Sequence, residues 1–125
     1  MTGATTACEV RLIALIAEAA RGPERDGLFA LWLVLRAAEG LLPPTPVSSR
    51  NHRRRLQALQ SRLATLALPA PLARALAAAR QHLEPATPAA AALVLSQLVA
   101  PAREVLGADA GEAVAVAARS ARIHL

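Results

Sequence analysis

Residues 26–42 of this sequence are DGLFALWLVLRAAEGLL, and they contain an unbroken apolar run from Leu28 to Leu35. The run includes the only phenylalanine and the only tryptophan of the chain, Phe29 and Trp32. At about 100° per residue, a helix with this sequence is apolar on nearly every side. Such a helix is normally buried. The pattern therefore predicts a central helix over residues 24–41 with other helices around it.

The same run is too short to predict a membrane span. Arg36 and Glu39 interrupt it, whereas a span needs about 18 or more uncharged apolar residues. The N-terminus has no basic segment before its apolar part, and Glu9 and Glu18 lie in its first predicted helix, so neither a signal peptide nor a transit peptide is predicted. We therefore expect a cytoplasmic protein that has no membrane partner.

The composition favours a single helical domain. The chain has 125 residues, an ordinary size for one domain with one hydrophobic core, and we expect residues 1–5 to be a disordered tail. A single cysteine, Cys8, cannot form an internal disulfide. The sequence has fourteen arginines and no lysine, and its high content of Ala, Leu and Pro is typical of a GC-rich bacterial genome. Arginine in place of lysine is therefore not, by itself, a sign of function.

Capping residues and prolines predict the first helix boundaries. Thr6 and Glu9, three positions apart, form a capping box that predicts a helix from Thr6 to about Arg21. Gly22 stops this helix, and Pro23 is suited to the first position of the central helix.

Two further helices are predicted in the middle of the chain. Ser48 or Ser49 can cap a third helix that ends near Leu66. Pro69 then breaks the chain, and Pro71 begins a fourth helix.

The last two predicted helices are rich in small residues. Thr87 followed by Pro88 predicts the start of the fifth helix, and Pro101 predicts either a kink or a division into two shorter helices. Gly107 is expected to end it. Asp109 and Glu112 then form a second capping box. The fold class is therefore all-α, a compact bundle of five to six helices.

Charge is distributed unevenly along the chain. Residues 40–83 contain seven arginines and no acidic residue, whereas the remainder contains seven arginines and nine acidic residues. This basic block is either a solvated surface or a site for nucleic acid or an acidic partner protein. It contains no aromatic residue, which counts against base stacking and favours contact with backbone phosphates. The candidate residues are Arg50, Arg53, Arg54, Arg55, Arg62 and Arg74.

No pattern in the sequence predicts catalysis, a metal or a cofactor. The glycines do not form a phosphate-binding loop, and His52, His82 and His124 have neither the spacing of metal ligands nor a partner nucleophile. Each histidine is expected at the surface. Arg36 and Glu39 are three positions apart and can form an ion pair at the bundle edge; the alternative is a polar site inside the core.

Two functions follow from these observations. We favour a non-enzymatic subunit or adaptor that acts through protein contacts and self-associates, because helices 5 and 6 offer broad surfaces of Ala and Val. The alternative is a nucleic-acid-binding accessory protein that uses the arginine-rich helix 49–66. A small helical enzyme is the least favoured interpretation.

Overall fold

The computed structural model describes residues 3–18, 23–43 and 46–123. The fold is all-α, as predicted: the structure is 83% helical, and no strand occurs in those ranges. Six helices pack into a bundle: α1 (Gly3–Glu18), α2 (Pro23–Glu39), α3 (Ser49–Thr65), α4 (Ala70–His82), α5 (Pro88–Leu106) and α6 (Ala108–Arg122).

Helix α2 lies at the centre of the bundle. It contacts all five other helices of the described structure, which confirms the prediction that the bundle packs around residues 24–41. Its fully buried side chains include Leu31, Val34 and Leu35. The most extensive helix contact is nevertheless between α5 and α6.

One face of α2 is not covered, contrary to the prediction that other helices surround the apolar run. Phe29, Trp32 and Leu33 are only half-buried, and they face α3. The reason is that α3 turns its leucines toward the core and has Arg55 and Arg62 on the flank nearest these residues. Those polar side chains leave a groove instead of a closed contact.

Two of the predicted helix starts are confirmed in detail. The Ser48 side chain accepts a hydrogen bond from the Asn51 amide at 3.2 Å, and the Thr87 side chain accepts one from the Ala90 amide at 3.1 Å. Helix α5 then runs without interruption through Pro101. The alternative of two shorter helices is therefore wrong, because packing against α6 and α4 holds α5 together across the missing backbone donor.

The two predicted capping boxes are wrong where the structure describes them. Helix α1 begins at Gly3, so Thr6 lies inside it and residues 3–5 are helical, not a tail. Its predicted end at Arg21 lies outside the described residues. Helix α6 begins at Ala108 after Gly107, and Asp109 lies in its first turn without acting as the cap. Gly107 has φ of 100°, a conformation that favours glycine and lets α6 follow α5 directly.

The small residues of α5 and α6 are used within the chain. At Gly111, an added Cβ atom would lie 2.7 Å from the Arg103 Cβ and 3.1 Å from its Cα, so the two helices approach closely there. Ala113, Ala117 and Ala121 of α6 are buried as well. Much of the Ala and Val surface that led us to predict self-association is therefore inside the bundle, and self-association stays a prediction without that support.

One described helix, α5, is long and apolar enough to cross a membrane by length and composition alone. A single helix of this kind does not indicate a membrane protein. Val94, Leu95 and Leu98 of this helix are buried in the bundle core, so its apolar character is also that of a core helix.

Candidate binding groove between helices α2 and α3

A groove of about 350 Å³ runs between α2 and α3. The residues that line it follow the spacing i, i+3, i+4, i+7 on both helices, the spacing with which a helix presents one face to a neighbour. From α2 they are Phe29, Trp32, Leu33, Arg36 and Ala37, and from α3 they are Arg55, Ala58, Leu59 and Arg62.

An aromatic pair forms one wall of the groove. The rings of Phe29 and Trp32 stack with their centroids 5.9 Å apart and an angle of 27° between their planes. Both side chains are half-buried, and Trp32 packs against the core. Because they are the only two aromatic residues of the chain, all of its aromatic surface is at this groove.

Two of the three groove arginines lie over the aromatic rings. The guanidinium carbon of Arg36 is 5.6 Å from the centroid of the Trp32 ring, and that of Arg62 is 5.6 Å from the centroid of the Phe29 ring. Each contact is a cation–π interaction worth about 0.5 to 1 kcal/mol at an exposed site. The rings therefore hold the two guanidinium groups in defined positions at the groove.

The third arginine connects the two helices. Arg55 Nη1 donates a hydrogen bond to the Arg36 carbonyl oxygen over 3.4 Å. The side chain passes next to Gly40, where an added Cβ atom would collide with Nη1. Glycine at position 40 therefore leaves the space through which Arg55 reaches α2.

The contacts also give the relative direction of the helices. Phe29, near the start of α2, meets Arg62, near the end of α3, whereas Arg36, near the end of α2, meets Arg55. The two walls of the groove are therefore antiparallel. Arg62 lies at one end and Arg55 at the other, and the Arg36 guanidinium lies over the Trp32 ring between them.

A second contact fixes the Arg62 end of the groove. The Ala67 amide, just after α3, donates a hydrogen bond to Asp26 Oδ2, in the first turn of α2, over 3.3 Å. This contact holds the end of α3 beside the start of α2, so the groove width at this end depends on backbone as well as on side chains.

Two of the six arginines of the predicted basic site, Arg55 and Arg62, line the groove. The other four are exposed and are not among its lining residues: Arg50, Arg53 and Arg54 on α3 and Arg74 on α4. The basic site itself stays a prediction.

Arg36 is a groove residue that was not among the predicted site residues. It is exposed, so the alternative of a core polar site containing both Arg36 and Glu39 is wrong. The ion pair between these two residues stays a prediction. One sequence signal could have identified Arg36: it lies seven positions after Phe29 and four after Trp32, so it shares a helix face with both rings.

The basic block contains no aromatic residue, but in the folded chain two aromatic residues lie beside it. Phe29 and Trp32 precede that block in the sequence, but the bundle places them beside Arg62 and Arg36. The sequence argument considered the basic block alone and therefore did not include these two rings. Its conclusion, that base stacking is disfavoured, stays a prediction.

His52 is in the core, contrary to its predicted surface position. Its side chain is 3% exposed, and its Nε2 atom lies 2.7 Å from the Leu83 carbonyl oxygen. A carbonyl can only accept, so Nε2 donates this hydrogen bond. His52 is four positions before Leu56 and seven before Leu59, which extends the buried stripe of α3 by one turn. His82 is exposed, as predicted, and His124 lies outside the described residues.

Among the described residues, no three His, Cys, Asp or Glu side chains come together as a metal site would require. Comparisons with protein-family models, with curated proteins and with solved structures found no match for this chain. The groove is therefore interpreted from its own geometry.

Proposed function

We propose that this chain is a non-enzymatic cytoplasmic adaptor that binds a partner protein through the α2–α3 groove. The observation that supports this proposal is the stacked Phe29–Trp32 pair, left half-exposed between three arginines. Tryptophan, tyrosine and arginine dominate the residues that contribute most to protein–protein binding. Apolar residues make up the rest of the groove lining, which is typical of the centre of a protein interface.

Two features favour a protein partner over nucleic acid at the groove. A nucleobase stacks on a free aromatic face, whereas Arg36 and Arg62 already lie over the rings of Trp32 and Phe29. Six of the nine lining residues are apolar or aromatic. A phosphate backbone makes no favourable contact with such side chains. A peptide with both apolar and acidic side chains satisfies both kinds of surface.

A nucleic-acid-binding accessory function remains the second candidate. The observation that favours it is the group of exposed arginines on α3 outside the groove, Arg50, Arg53 and Arg54. Such a surface would contact backbone phosphates without selecting a base sequence. Its binding would weaken steeply as the salt concentration rises.

The single tryptophan makes the proposal testable with the unmodified protein. Because Trp32 is the only tryptophan and lines the groove, its fluorescence reports occupation of the groove. We suggest selecting a display library of random peptides of about 15 residues, long enough for a marginal helix, on the wild-type chain. Counter-selection uses the variant Arg36→Gln/Arg55→Gln/Arg62→Gln, after circular dichroism has shown that it is folded.

The proposal predicts that the selected peptides contain acidic and apolar residues and change the fluorescence of Trp32. A parallel titration uses oligothymidylate of about 20 nucleotides, longer than a typical single-strand site of about 4 to 16 nucleotides. Binding of a fluorescently labelled oligothymidylate is followed by its anisotropy, because the exposed arginines of the second candidate lie away from Trp32. If oligothymidylate binds and no peptide changes the fluorescence of Trp32, the second candidate replaces the first. If neither ligand binds, the groove is not a binding site and the proposal is wrong.

A further inference from the structure

The groove geometry points to one kind of partner segment: an amphipathic helix with two acidic residues seven positions apart. This inference rests on the proposed function, because it specifies the ligand of the same groove. It goes further by stating the conformation of the segment and the spacing of its charges. Three observations lead to it, namely the helical spacing of both walls, the positions of the arginines and the apolar lining of the middle of the groove.

The first observation is that both walls are helix faces with the same repeat. The spacing i, i+3, i+4, i+7 occurs from Phe29 to Arg36 and again from Arg55 to Arg62. Each wall therefore spans about 10.5 Å along its axis, from a rise of about 1.5 Å per residue. Two neighbouring helices whose exposed faces have the same spacing form a groove that a third helix can occupy. A helix bound in a groove is a recurring mode of peptide recognition.

The second observation is that positively charged side chains lie at the two ends of the groove. The Arg62 guanidinium lies at the Phe29 end, and Arg55 lies at the other end, where it bonds to the Arg36 carbonyl oxygen. Arg55 and Arg62 are seven positions apart on the same flank of α3. Two carboxylates seven positions apart on a bound helix have the same separation of about 10.5 Å, so one can meet each end.

The third observation is that the lining between the two ends is mostly apolar. Trp32 and Leu33 of α2 and Ala58 and Leu59 of α3 line the groove there, and the Arg36 guanidinium lies over the tryptophan ring. A leucine or similar side chain at position i+3 or i+4 of the bound helix lies between the two acidic residues and buries the apolar surface that Arg36 leaves exposed.

A second copy of this chain does not match this description. No two of its nine acidic residues are seven positions apart, so none of its own helices can place carboxylates at both ends of the groove. The charge pattern therefore indicates a segment of a different protein. The same argument separates groove binding from self-association, which would use another surface.

The test compares synthetic peptides that differ only in where their charges lie. Each is an acetylated and amidated helix of about 15 residues with one leucine seam. The first has glutamate at i and i+7, the second has the same two glutamates at i and i+2, and the third has glutamine at i and i+7. Binding is measured by isothermal titration calorimetry and by Trp32 fluorescence.

We expect the first peptide to bind at least about tenfold more tightly than the other two, a factor that corresponds to about 1.4 kcal/mol. The variant Arg62→Gln should lose most of this preference, whereas Arg50→Gln, outside the groove, should keep it. The most specific test exchanges the two charges. The variant Arg62→Glu should bind a peptide with lysine at the matching position more tightly than it binds the first peptide.

The outcomes separate this inference from the proposed function. If the first two peptides bind equally and both change Trp32 fluorescence, the groove binds protein segments but the helical spacing is wrong. If the variant Arg62→Glu does not prefer the lysine peptide to the first peptide, Arg62 does not meet a peptide glutamate and the inference is wrong. If no peptide changes Trp32 fluorescence, the proposed function falls with it.

Discussion

The guanidinium carbon of Arg62 lies 5.6 Å from the centroid of the Phe29 ring, which joins the end of α3 to the start of α2 across the groove. Phe29 belongs to the apolar run at the centre of the bundle, and Arg62 to the basic block. The contact shows that these two features of the sequence form one surface. It also places a positive charge beside apolar surface that the bundle leaves uncovered.

Arg62→Gln is expected to affect binding much more than folding. Its side chain is exposed, and the interaction with Phe29 contributes about 0.5 to 1 kcal/mol. The free energy of unfolding, measured by urea denaturation, should therefore change by about 1 kcal/mol or less. Arg50→Gln is the matched control on the same helix. A loss of several kcal/mol in Arg62→Gln alone would mean that Arg62 holds the bundle together.

Leu31 and Trp32, adjacent in α2, should differ in their importance for stability. Leu31 is fully buried, and Leu31→Ala is expected to lower the free energy of unfolding by about 2 to 5 kcal/mol. Trp32 is half-buried, so Trp32→Ala should cost less than the roughly 3 to 5 kcal/mol typical of a fully buried aromatic side chain. Circular dichroism follows both unfolding transitions, because the second variant has no tryptophan. A cost within or above that range would contradict the partial exposure of Trp32.

His52→Ala is expected to destabilise the fold by at least about 2 kcal/mol. The change leaves a cavity and removes the hydrogen bond from Nε2 to the Leu83 carbonyl, so a buried acceptor loses its partner. His82→Ala, at an exposed position of α4, should stay within about 0.5 kcal/mol of the parent. Equal effects of the two substitutions on thermal unfolding would contradict the burial of His52.

Gly111→Ala should destabilise the contact between α5 and α6. Alanine has the higher helix propensity, by about 1 kcal/mol. The new methyl group, however, would meet the Cβ and backbone Cα of Arg103 at 2.7 and 3.1 Å, and such overpacking typically costs about 1 to 3 kcal/mol. A net decrease in melting temperature is expected. An increase would indicate that the two helices separate at little cost.

Local signals explain why much of the fold could be predicted. Ser48 and Thr87 begin helices because their side chains accept backbone hydrogen bonds from residues three positions later, and this depends on nearby sequence alone. The predicted capping box at Asp109 and Glu112 was wrong, and the reason is again a local one. Gly107 turns the chain sharply enough for α6 to begin before Asp109 can act as its cap.

The groove could not be predicted because it depends on which helix meets which face. The apolar run of α2 indicated burial on all sides, yet the flank of α3 opposite Phe29 has Arg62 instead of a leucine. Only packing shows that these two flanks face each other. His52 is the reverse case, since its spacing to Leu56 already indicated a buried position, and its polar side chain led to the wrong prediction.

The accessibility of Trp32 to a quencher in solution shows whether the α2–α3 groove is open and whether a peptide occupies it. Acrylamide quenching of the single tryptophan is measured for the free chain and for the chain saturated with the peptide that has glutamate at i and i+7. If the α2–α3 groove is open and binds this helix, quenching should be appreciable in the free chain and several-fold weaker in the complex. Binding that calorimetry detects without any change in the quenching of Trp32 would contradict binding at the α2–α3 groove, because the peptide would then lie elsewhere on the bundle.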